Sequence, residues 1–146
     1  MAARAVPDAD LHVLGPVHRE GHETDFANLK LHGWVDDVTT YLVAAEVVIA
    51  SAGDNTVHEI ARARRPFICA PEWRYFDEQK CKARELARLG AAIHLESWPG
   101  SLPAWQQLFA EAQALDVAAL ADLYDGDAAC NAARWLTDLA RRLWSS

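Results

Sequence analysis

The sequence predicts an α/β fold, a doubly wound (Rossmann-like) parallel sheet followed by a C-terminal helical extension. Two observations support this prediction. Short apolar runs alternate four times with helical patterns, at intervals of roughly 20 residues, which is typical of βα units joined by right-handed crossovers. Beyond residue 98 the remaining patterns are helical. We therefore expect two parts, a sheet domain over residues 1–98 and a helical extension over 99–146 that packs on it.

The predicted strands are short runs rich in β-branched and aliphatic residues. The run VVIA at 47–50 is continuous, which is typical of a strand buried on both faces. The run PFICAP at 66–71 has the same character. Three further strands are expected in LHVLG (11–15), LKLHGWV (29–35) and AAIHLE (91–96).

Helices are predicted between these strands from apolar residues at helical spacing and from capping residues. Asp36 and Asp77 stand where N-caps are expected, and Gly90 stands at a C-terminal end. The helical patterns are DDVTTYLVAAE (36–46), TVHEIARARR (56–65), DEQKCKARELARLG (77–90), AWQQLFAEAQAL (104–115) and NAARWLTDLARRLW (131–144).

Composition excludes several classes of protein. The net charge of −7, from 14 basic and 21 acidic residues, argues against a nucleic-acid partner, which would require clustered cations. No apolar stretch reaches the roughly 18–20 residues of a membrane span. Cys69, Cys81 and Cys130 form no C-x-x-C pair, and His18-x-x-x-His22 has no evident third ligand. We therefore expect a cytoplasmic protein with no metal and no cofactor.

The loop after the VVIA strand is a candidate anion site. Ligands of doubly wound sheets bind beyond the carboxyl ends of the strands, where SAGDNT (51–56) is expected. Gly53 permits close approach of the backbone, and a helix predicted to start at Asn55 or Thr56 offers free N–H groups. The pattern Thr56-x-x-Glu59 also fits a capping box, so an ordinary helix start remains an alternative.

A second loop, PEWRYFDEQ (71–79), follows the next predicted strand. It combines aromatic, acidic and amide side chains and ends in a helix. The amide of Gln79 could exchange hydrogen bonds with sugar hydroxyls, and Glu59 could accept from a ribose, as acidic residues do in other nucleotide folds. A third strand-end segment lies at 33–37.

Together these segments resemble the C-terminal, donor-binding half of GT-B glycosyltransferases. The resemblance covers 33–96 and follows the order G-W-V-D-D, S-x-G-x-x-T-x-x-E, P-F-x-x-x-P, D-x-Q and L-G-A-A. It is greatest to the branch that transfers N-acetylglucosamine to the lipid-linked precursor of peptidoglycan. The implied function is transfer of a hexosamine from a UDP-sugar to an acceptor hydroxyl.

The resemblance also implies roles for individual residues. Trp34 and Val35 would lie beside the uracil, Glu59 would bind the ribose hydroxyls, and Gln79 and Glu78 would face the transferred sugar. The diphosphate would lie against the loop of Ser51, Gly53, Asn55 and Thr56. The family needs no metal, so Asp36 is interpreted as a helix cap and not as part of a D-x-D metal motif. Asp54 and His58 depart from the family pattern in this loop.

The resemblance further implies a partner structure. The catalytic base would belong to an acceptor-binding N-terminal half, which we expect as upstream sequence or as a partner subunit that brings the chain to the inner face of a membrane. The first strand of the donor half also lacks a counterpart here, since AARAVPDADLHVLG resembles the end of the following helix and the second strand. Two alternatives remain open, a nucleotide-sugar epimerase half and a non-catalytic nucleotide-sugar-binding module.

Overall fold

The computed structural model describes residues 1–17 and 26–144, and the pair His18 and His22 lies outside this part of the chain. The described strands are β1 (Leu11–Leu14), β2 (Leu29–Gly33), β3 (Val48–Ala50), β4 (Phe67–Cys69) and β5 (Ile93–His94). The helices are α1 (Ala2–Ala5), α2 (Thr39–Ala44), α3 (Asp54–Ala63), α4 (Glu78–Arg88), α5 (Leu102–Gln113), α6 (Ala118–Ala121) and α7 (Ala128–Trp144). The predicted alternation of strand and helix is confirmed.

The strands form two parallel groups, β1–β2 and β3–β4–β5. A doubly wound sheet of order 3-2-1-4-5-6 places its second and third strands side by side and its fourth to sixth strands together. The two groups match these positions, with the place of the first strand between them. The Rossmann-like fold class is therefore confirmed.

The core consists of two apolar clusters, one on each side of β3 and β4. Val48, Phe67 and Cys69 contribute to the cluster under α3 and α4. Ile68 contributes to the other cluster, which α5 covers with Trp105, Leu108, Phe109 and Ala112. All of β4 is buried, but only Val48 of β3 is fully buried, so the prediction of a strand buried on both faces holds better for β4.

Several predicted helix starts are corrected. The helix α2 begins at Thr39 with Val38 at the N-cap position and no side-chain cap there, so Asp36 is not the capping residue. Asp37 accepts a 2.8 Å hydrogen bond from the Thr39 N–H just before the helix. Hydrogen bonding from the side chain of Thr39, and then from its N–H, holds the pKa of Asp37 below its usual value. Asp77 stands at the N-cap position of α4 without a side-chain cap and pairs instead with Lys80 at 3.0 Å. Gly90 ends α4 as predicted, at φ +71°.

The C-terminal region divides into a packed and an unpacked part. The helix α5 covers the sheet, whereas α7 has no buried residue over its 17 residues. Among the tryptophans of this region only Trp105 is buried, so core packing explains Trp105 and not Trp98, Trp135 or Trp144. None of the helices described is long and apolar enough to cross a membrane.

Candidate functional site

Two loops meet at the carboxyl ends of β3 and β4. Parallel pairing of these strands continues into the 2.8 Å bond from the Ala70 N–H to the Ala50 carbonyl. The chain then leaves β3 through 51–53 and leaves β4 through 70–77. Because both loops leave the same edge of the sheet, the predicted segments at 51–56 and 71–79 are neighbours in space.

Gln79 joins these two loops from the first turn of α4. Its Oε1 accepts hydrogen bonds from the Ala52 N–H at 3.2 Å and from the Glu72 N–H at 2.9 Å. The side chain is 6% exposed. The Nε2 group has no hydrogen-bond partner within residues 1–17 and 26–144, although it is not fully shielded from solvent. A buried amide with free donors at a strand edge is a ready contact for an oxygen-rich ligand.

The first turn of α3 supplies a second set of donors. Gly53 is the N-cap, and no side chain caps this end of the helix. The capping box of Thr56 and Glu59 is therefore absent, since α3 begins at Asp54 and Glu59 lies in its second turn. The alternative of an ordinary side-chain-capped helix start is wrong.

The space above Gly53 is lined by two hydroxyl groups. A methyl group at this position would meet Thr56 Oγ1 at 3.7 Å and Ser51 Oγ at 3.8 Å, which is ordinary contact. Gly53 has φ −65° and ψ 143°, so neither its backbone conformation nor its neighbours require glycine. The small residue leaves room beside the free N–H groups, where an anion would be stabilised by the helix dipole.

Lys82 is a residue of this region that the sequence patterns did not single out. It forms an ion pair with Asp54, at the start of α3, and lies 3.8 Å from Glu78 on its own helix. The ammonium group lowers the pKa of Asp54 through a hydrogen bond and its charge. The Asp54 carboxylate, which would oppose an anion at this helix end, is thereby paired. In the sequence, only the i, i+4 spacing of Glu78 and Lys82 could have indicated that Lys82 forms ion pairs.

Glu59 points away from the core. It is exposed, on the side of α3 opposite the buried Val57, Ile60 and Ala61, and its carboxylate has no hydrogen-bond partner within the described part of the chain. Asn55 and His58 are exposed on the same helix. Glu59 is thus free to bind a ligand, and no neighbour in the described chain explains its presence.

Trp34 and Val35 follow the end of β2 in the loop that leads to α2. Trp34 is 85% exposed and Val35 is half-buried. The helix α2 packs against α3, and Arg62 of α3 contributes to the lowered pKa of Asp37. The loop is therefore on the α3 side of the molecule.

Exposed aromatic residues mark the loop between β4 and α4. Trp73 and Tyr75 have ring centroids 5.2 Å apart, and Phe76 is 99% exposed. Phe76 and Asp77 have φ of 63° and 51°, values that cost energy for residues other than glycine.

A cavity of about 260 Å³ adjoins this loop, between 70–72 and 95–98. Glu72 lines this cavity and its N–H donates to Gln79 Oε1, so the cavity adjoins the loop that Gln79 holds.

A comparison with protein families decides the identity of this domain. The family described as the glycosyltransferase family 28 C-terminal domain matches residues 9–98, more than half of the chain. The chain belongs to this family. Its glycosyltransferase 28 domain carries the strand-end loops and all nine residues predicted for the site, which are Trp34, Val35, Ser51, Gly53, Asn55, Thr56, Glu59, Glu78 and Gln79.

Individual relatives agree with the family. The chain is 36% identical over 98 residues to the UDP-N-acetylglucosamine--N-acetylmuramyl-(pentapeptide) pyrophosphoryl-undecaprenol N-acetylglucosamine transferase of Sorangium cellulosum (strain So ce56). The match covers 58% of this chain and 24% of that enzyme. The glycosyltransferase 28 domain described here therefore corresponds to about a quarter of the curated relative.

Solved structures share the fold. MurG of Acinetobacter baumannii superposes with a TM-score of 0.68 and 20% identity over 94% of this chain and 44% of that one. The glycotransferase of kitacinnamycin superposes with a TM-score of 0.73 and 21% identity, over 97% of this chain and 36% of that one. The spinosyn rhamnosyltransferase SpnG, complexed with thymidine diphosphate, superposes with a TM-score of 0.64 and 27% identity, over 83% of this chain and 34% of that one. Similarity to MurG and to other glycosyltransferases confirms the expected resemblance.

The structure brings together part of the predicted site. Ser51, Gly53 and Thr56 surround one end of α3, and Gln79 is hydrogen-bonded to the adjacent loop. Glu78 lies beside Lys82, at the edge of this group. Within the described chain, no hydrogen bond or ring contact joins Trp34, Val35 or Glu59 to this group. No group of three or more His, Cys, Asp or Glu within 1–17 and 26–144 is arranged to hold a metal ion.

Proposed function

We propose that this glycosyltransferase 28 domain binds a UDP-sugar, with N-acetylglucosamine as the sugar, in the cleft at the ends of β3 and β4. The observation that carries the proposal is Gln79, a buried amide that joins both strand-end loops and whose Nε2 donors have no partner among the residues described. The donor is suggested by the relative whose name specifies UDP-N-acetylglucosamine.

The diphosphate is proposed to bind at the first turn of α3. Its oxygens would accept from the uncapped N–H groups and from the hydroxyls of Ser51 and Thr56, with Asn55 at the rim. Gly53 allows the close approach. In the transfer reaction these same donors would stabilise the charge on the departing diphosphate, so the reaction requires no metal.

The nucleoside is proposed to extend from α3 towards the loop after β2. The exposed Glu59 carboxylate would accept hydrogen bonds from the ribose hydroxyls, and Trp34 and Val35 would cover the uracil. At the other end of the donor, Gln79 Nε2 and Glu78 would contact the sugar. The cavity between 70–72 and 95–98 adjoins Glu72 and offers space for the sugar beside Gln79.

Transfer is proposed to require a second structural half. An acceptor hydroxyl held there would attack the anomeric carbon, the bond to the diphosphate oxygen would break, and a base of that half would take the hydroxyl proton. The chain described here would contribute the donor site over 1–98 and a helical extension over 99–146. Alone it is expected to bind the donor and not to transfer sugar.

Isothermal titration calorimetry tests the donor. We expect heat with UDP and UDP-N-acetylglucosamine, and weaker binding of thymidine diphosphate, the ligand of the SpnG complex. Glu59→Gln should weaken UDP binding about tenfold or more, because a charge-assisted hydrogen bond contributes roughly 1.5–3 kcal/mol. Glu85→Gln, an equal change of an exposed residue on α4, is the matched control and should leave the affinity unchanged.

Other outcomes would contradict the proposal. Absence of heat at millimolar UDP would favour a module without nucleotide-sugar binding. Conversion of the sugar nucleotide in the absence of any acceptor would favour the epimerase alternative. If Glu59→Gln and Glu85→Gln lose UDP affinity equally, Glu59 does not have the proposed role in binding the ribose.

A further inference from the structure

Trp98 is an exposed aromatic residue that core packing does not explain. It is 64% exposed, and its ring stacks on the buried Trp105 with centroids 5.9 Å apart and planes inclined by 29°. Trp105 in turn contacts the buried Phe109, with centroids 5.6 Å apart, and both belong to α5, which covers the sheet. Trp98 therefore packs against a buried base while most of its own surface stays open to solvent.

This indole lines the cavity at the ends of β4 and β5. The segment 95–98 leaves the sheet beside the loop after β4, because the Leu95 N–H donates to the Cys69 carbonyl at 2.8 Å. The two loops border the cavity of about 260 Å³, and Trp98 forms part of its wall. The position of Trp98 is thus fixed from below by α5, and its open side faces a space that a ligand can occupy.

The polar residues of the cavity suit a ligand rich in hydroxyl groups. Glu96 and Ser97 line it, and the exposed Glu96 carboxylate has no hydrogen-bond or ion-pair partner in the part of the chain that the structure describes. Glu72 also lines it and pairs with Arg74 at 2.6 Å. A sugar ring presents C–H groups on one face, which the negative face of an aromatic ring attracts, and hydroxyls at its rim, which carboxylates bind.

The position and size of the cavity match the sugar of the proposed donor, so the inference rests on the proposed function. The nucleoside is proposed beside the loop after β2, the diphosphate at α3 beyond β3, and Gln79 holds the loop after β4. The cavity lies one step further along these strand ends, between the loops after β4 and β5. Its volume is below the roughly 300–1,000 Å³ of pockets for whole drug-sized ligands, which suits a single ring.

We infer that Trp98 is a specificity-determining residue that stacks on the hexosamine ring of the donor, and that Glu96 accepts hydrogen bonds from its hydroxyls. The acceptor-binding half fits less well as the partner of Trp98. A protein surface that covered this ring would also bury the Glu96 carboxylate, which has no cation beside it in the described chain, and such burial is costly. A role limited to covering Trp105 leaves the open side of the ring unexplained.

Calorimetry with UDP-N-acetylglucosamine and with UDP tests the role of Trp98 in the full chain. Trp98→Ala should bind UDP-N-acetylglucosamine about tenfold more weakly and UDP nearly as well as the unchanged chain, because only the first ligand carries the ring. Trp98→Phe keeps an aromatic face and should recover most of the affinity. Trp98→Leu is apolar without a π-face and should not recover it.

Glu96→Gln tests the cavity independently of the packing on Trp105, since it removes no contact within the described chain. It should weaken UDP-N-acetylglucosamine about fivefold or more and leave UDP unchanged, because hydrogen bonds to a charged group are the stronger ones. Trp135→Ala is the matched control for Trp98, being 59% exposed and outside the cavity. Glu85→Gln is the control for Glu96, and both controls should bind the two ligands unchanged.

Two results would overturn the inference and leave the proposed UDP site intact. The first is equal affinity of Trp98→Ala and Trp135→Ala for UDP-N-acetylglucosamine. The second is a loss in Trp98→Ala that is the same for UDP and for UDP-N-acetylglucosamine. Failure of the unchanged chain to bind UDP would instead contradict the proposed function, and this inference with it.

Discussion

The N–H of Ala52 donates a hydrogen bond to Oε1 of Gln79, a residue 27 positions later in the chain, at 3.2 Å. The same oxygen accepts from the N–H of Glu72 at 2.9 Å. One amide oxygen therefore satisfies two backbone donors from different strand-end loops. It holds the start of α3, the loop after β4 and the start of α4 in one arrangement, and this arrangement shapes the proposed donor site.

Replacing Gln79 by leucine should destabilise the fold by about 2–5 kcal/mol. The buried Ala52 N–H and the partly buried Glu72 N–H would lose their acceptor, at roughly 1–3 kcal/mol for each unsatisfied group. Urea unfolding followed by circular dichroism measures the change. Gln106→Leu, at an exposed position of α5, is the control and should change stability little. Equal stability of the two variants would show that the Gln79 bonds contribute nothing measurable.

Gln79→Glu separates the structural role of this residue from its binding role. A carboxylate keeps the oxygen that accepts from Ala52 and Glu72 but lacks the Nε2 donors. We expect the variant to retain most of the stability that Gln79→Leu loses, and to bind UDP-N-acetylglucosamine more weakly while UDP binding changes less. If both ligands weaken equally, the amide does not contact the sugar.

The ion pair between Asp54 and Lys82 should limit the affinity for diphosphates. The carboxylate lies at the helix end where the proposed diphosphate binds, and it pairs with the Lys82 ammonium, which would otherwise be available to the diphosphate. Asp54→Asn should therefore tighten UDP binding by about two- to fivefold, as expected for a charge at a helix terminus. Calorimetry measures this, with Asp127→Asn as an exposed control. Weaker UDP binding by Asp54→Asn would show that Asp54 helps to order the loop.

Much of the fold could be predicted from the sequence because its signals are local. β-branched runs, helical spacing and Gly90 at the end of α4 identify elements through interactions within a few residues. The confirmed strands and helices follow from these patterns. The exact starts of helices could be predicted less accurately, since they depend on single bonds. At the start of α2, Asp37 and not Asp36 accepts from the Thr39 N–H, and no side chain caps the helix.

The site could be predicted only in outline, because its decisive contacts join distant segments. Nothing in the pattern around Gln79 indicates that two N–H groups from other loops require its oxygen. Lys82 likewise becomes notable only when Asp54 lies beside it. Phe76 and Asp77 adopt positive φ without glycine, so the usual sequence signal for this backbone conformation is absent. The roles of the nine site residues remain predictions.

The buried thiol of Cys69 should make the stability of the chain depend on alkaline pH. Burial raises its pKa from 9.0 to about 11. Below pH 9.0 the thiol is protonated in both the folded and the unfolded chain, so its titration does not change the free energy of unfolding. Between 9.0 and about 11 the unfolded chain loses the proton and the folded chain keeps it, so stability falls as the pH rises. We expect a loss of about 2 kcal/mol across this range.

Urea unfolding of the unchanged chain and of Cys69→Ala isolates this effect, because all other groups titrate alike in both. The substitution lowers stability at every pH by removing a buried side chain, but it should flatten the decline above pH 9.0. A thiol reagent provides an independent measurement. Cys81 and Cys130 are exposed and should react in the folded chain, whereas Cys69 should react only after unfolding. Rapid labelling of all three cysteines in the folded chain, or parallel pH profiles for the two proteins, would contradict the assignment.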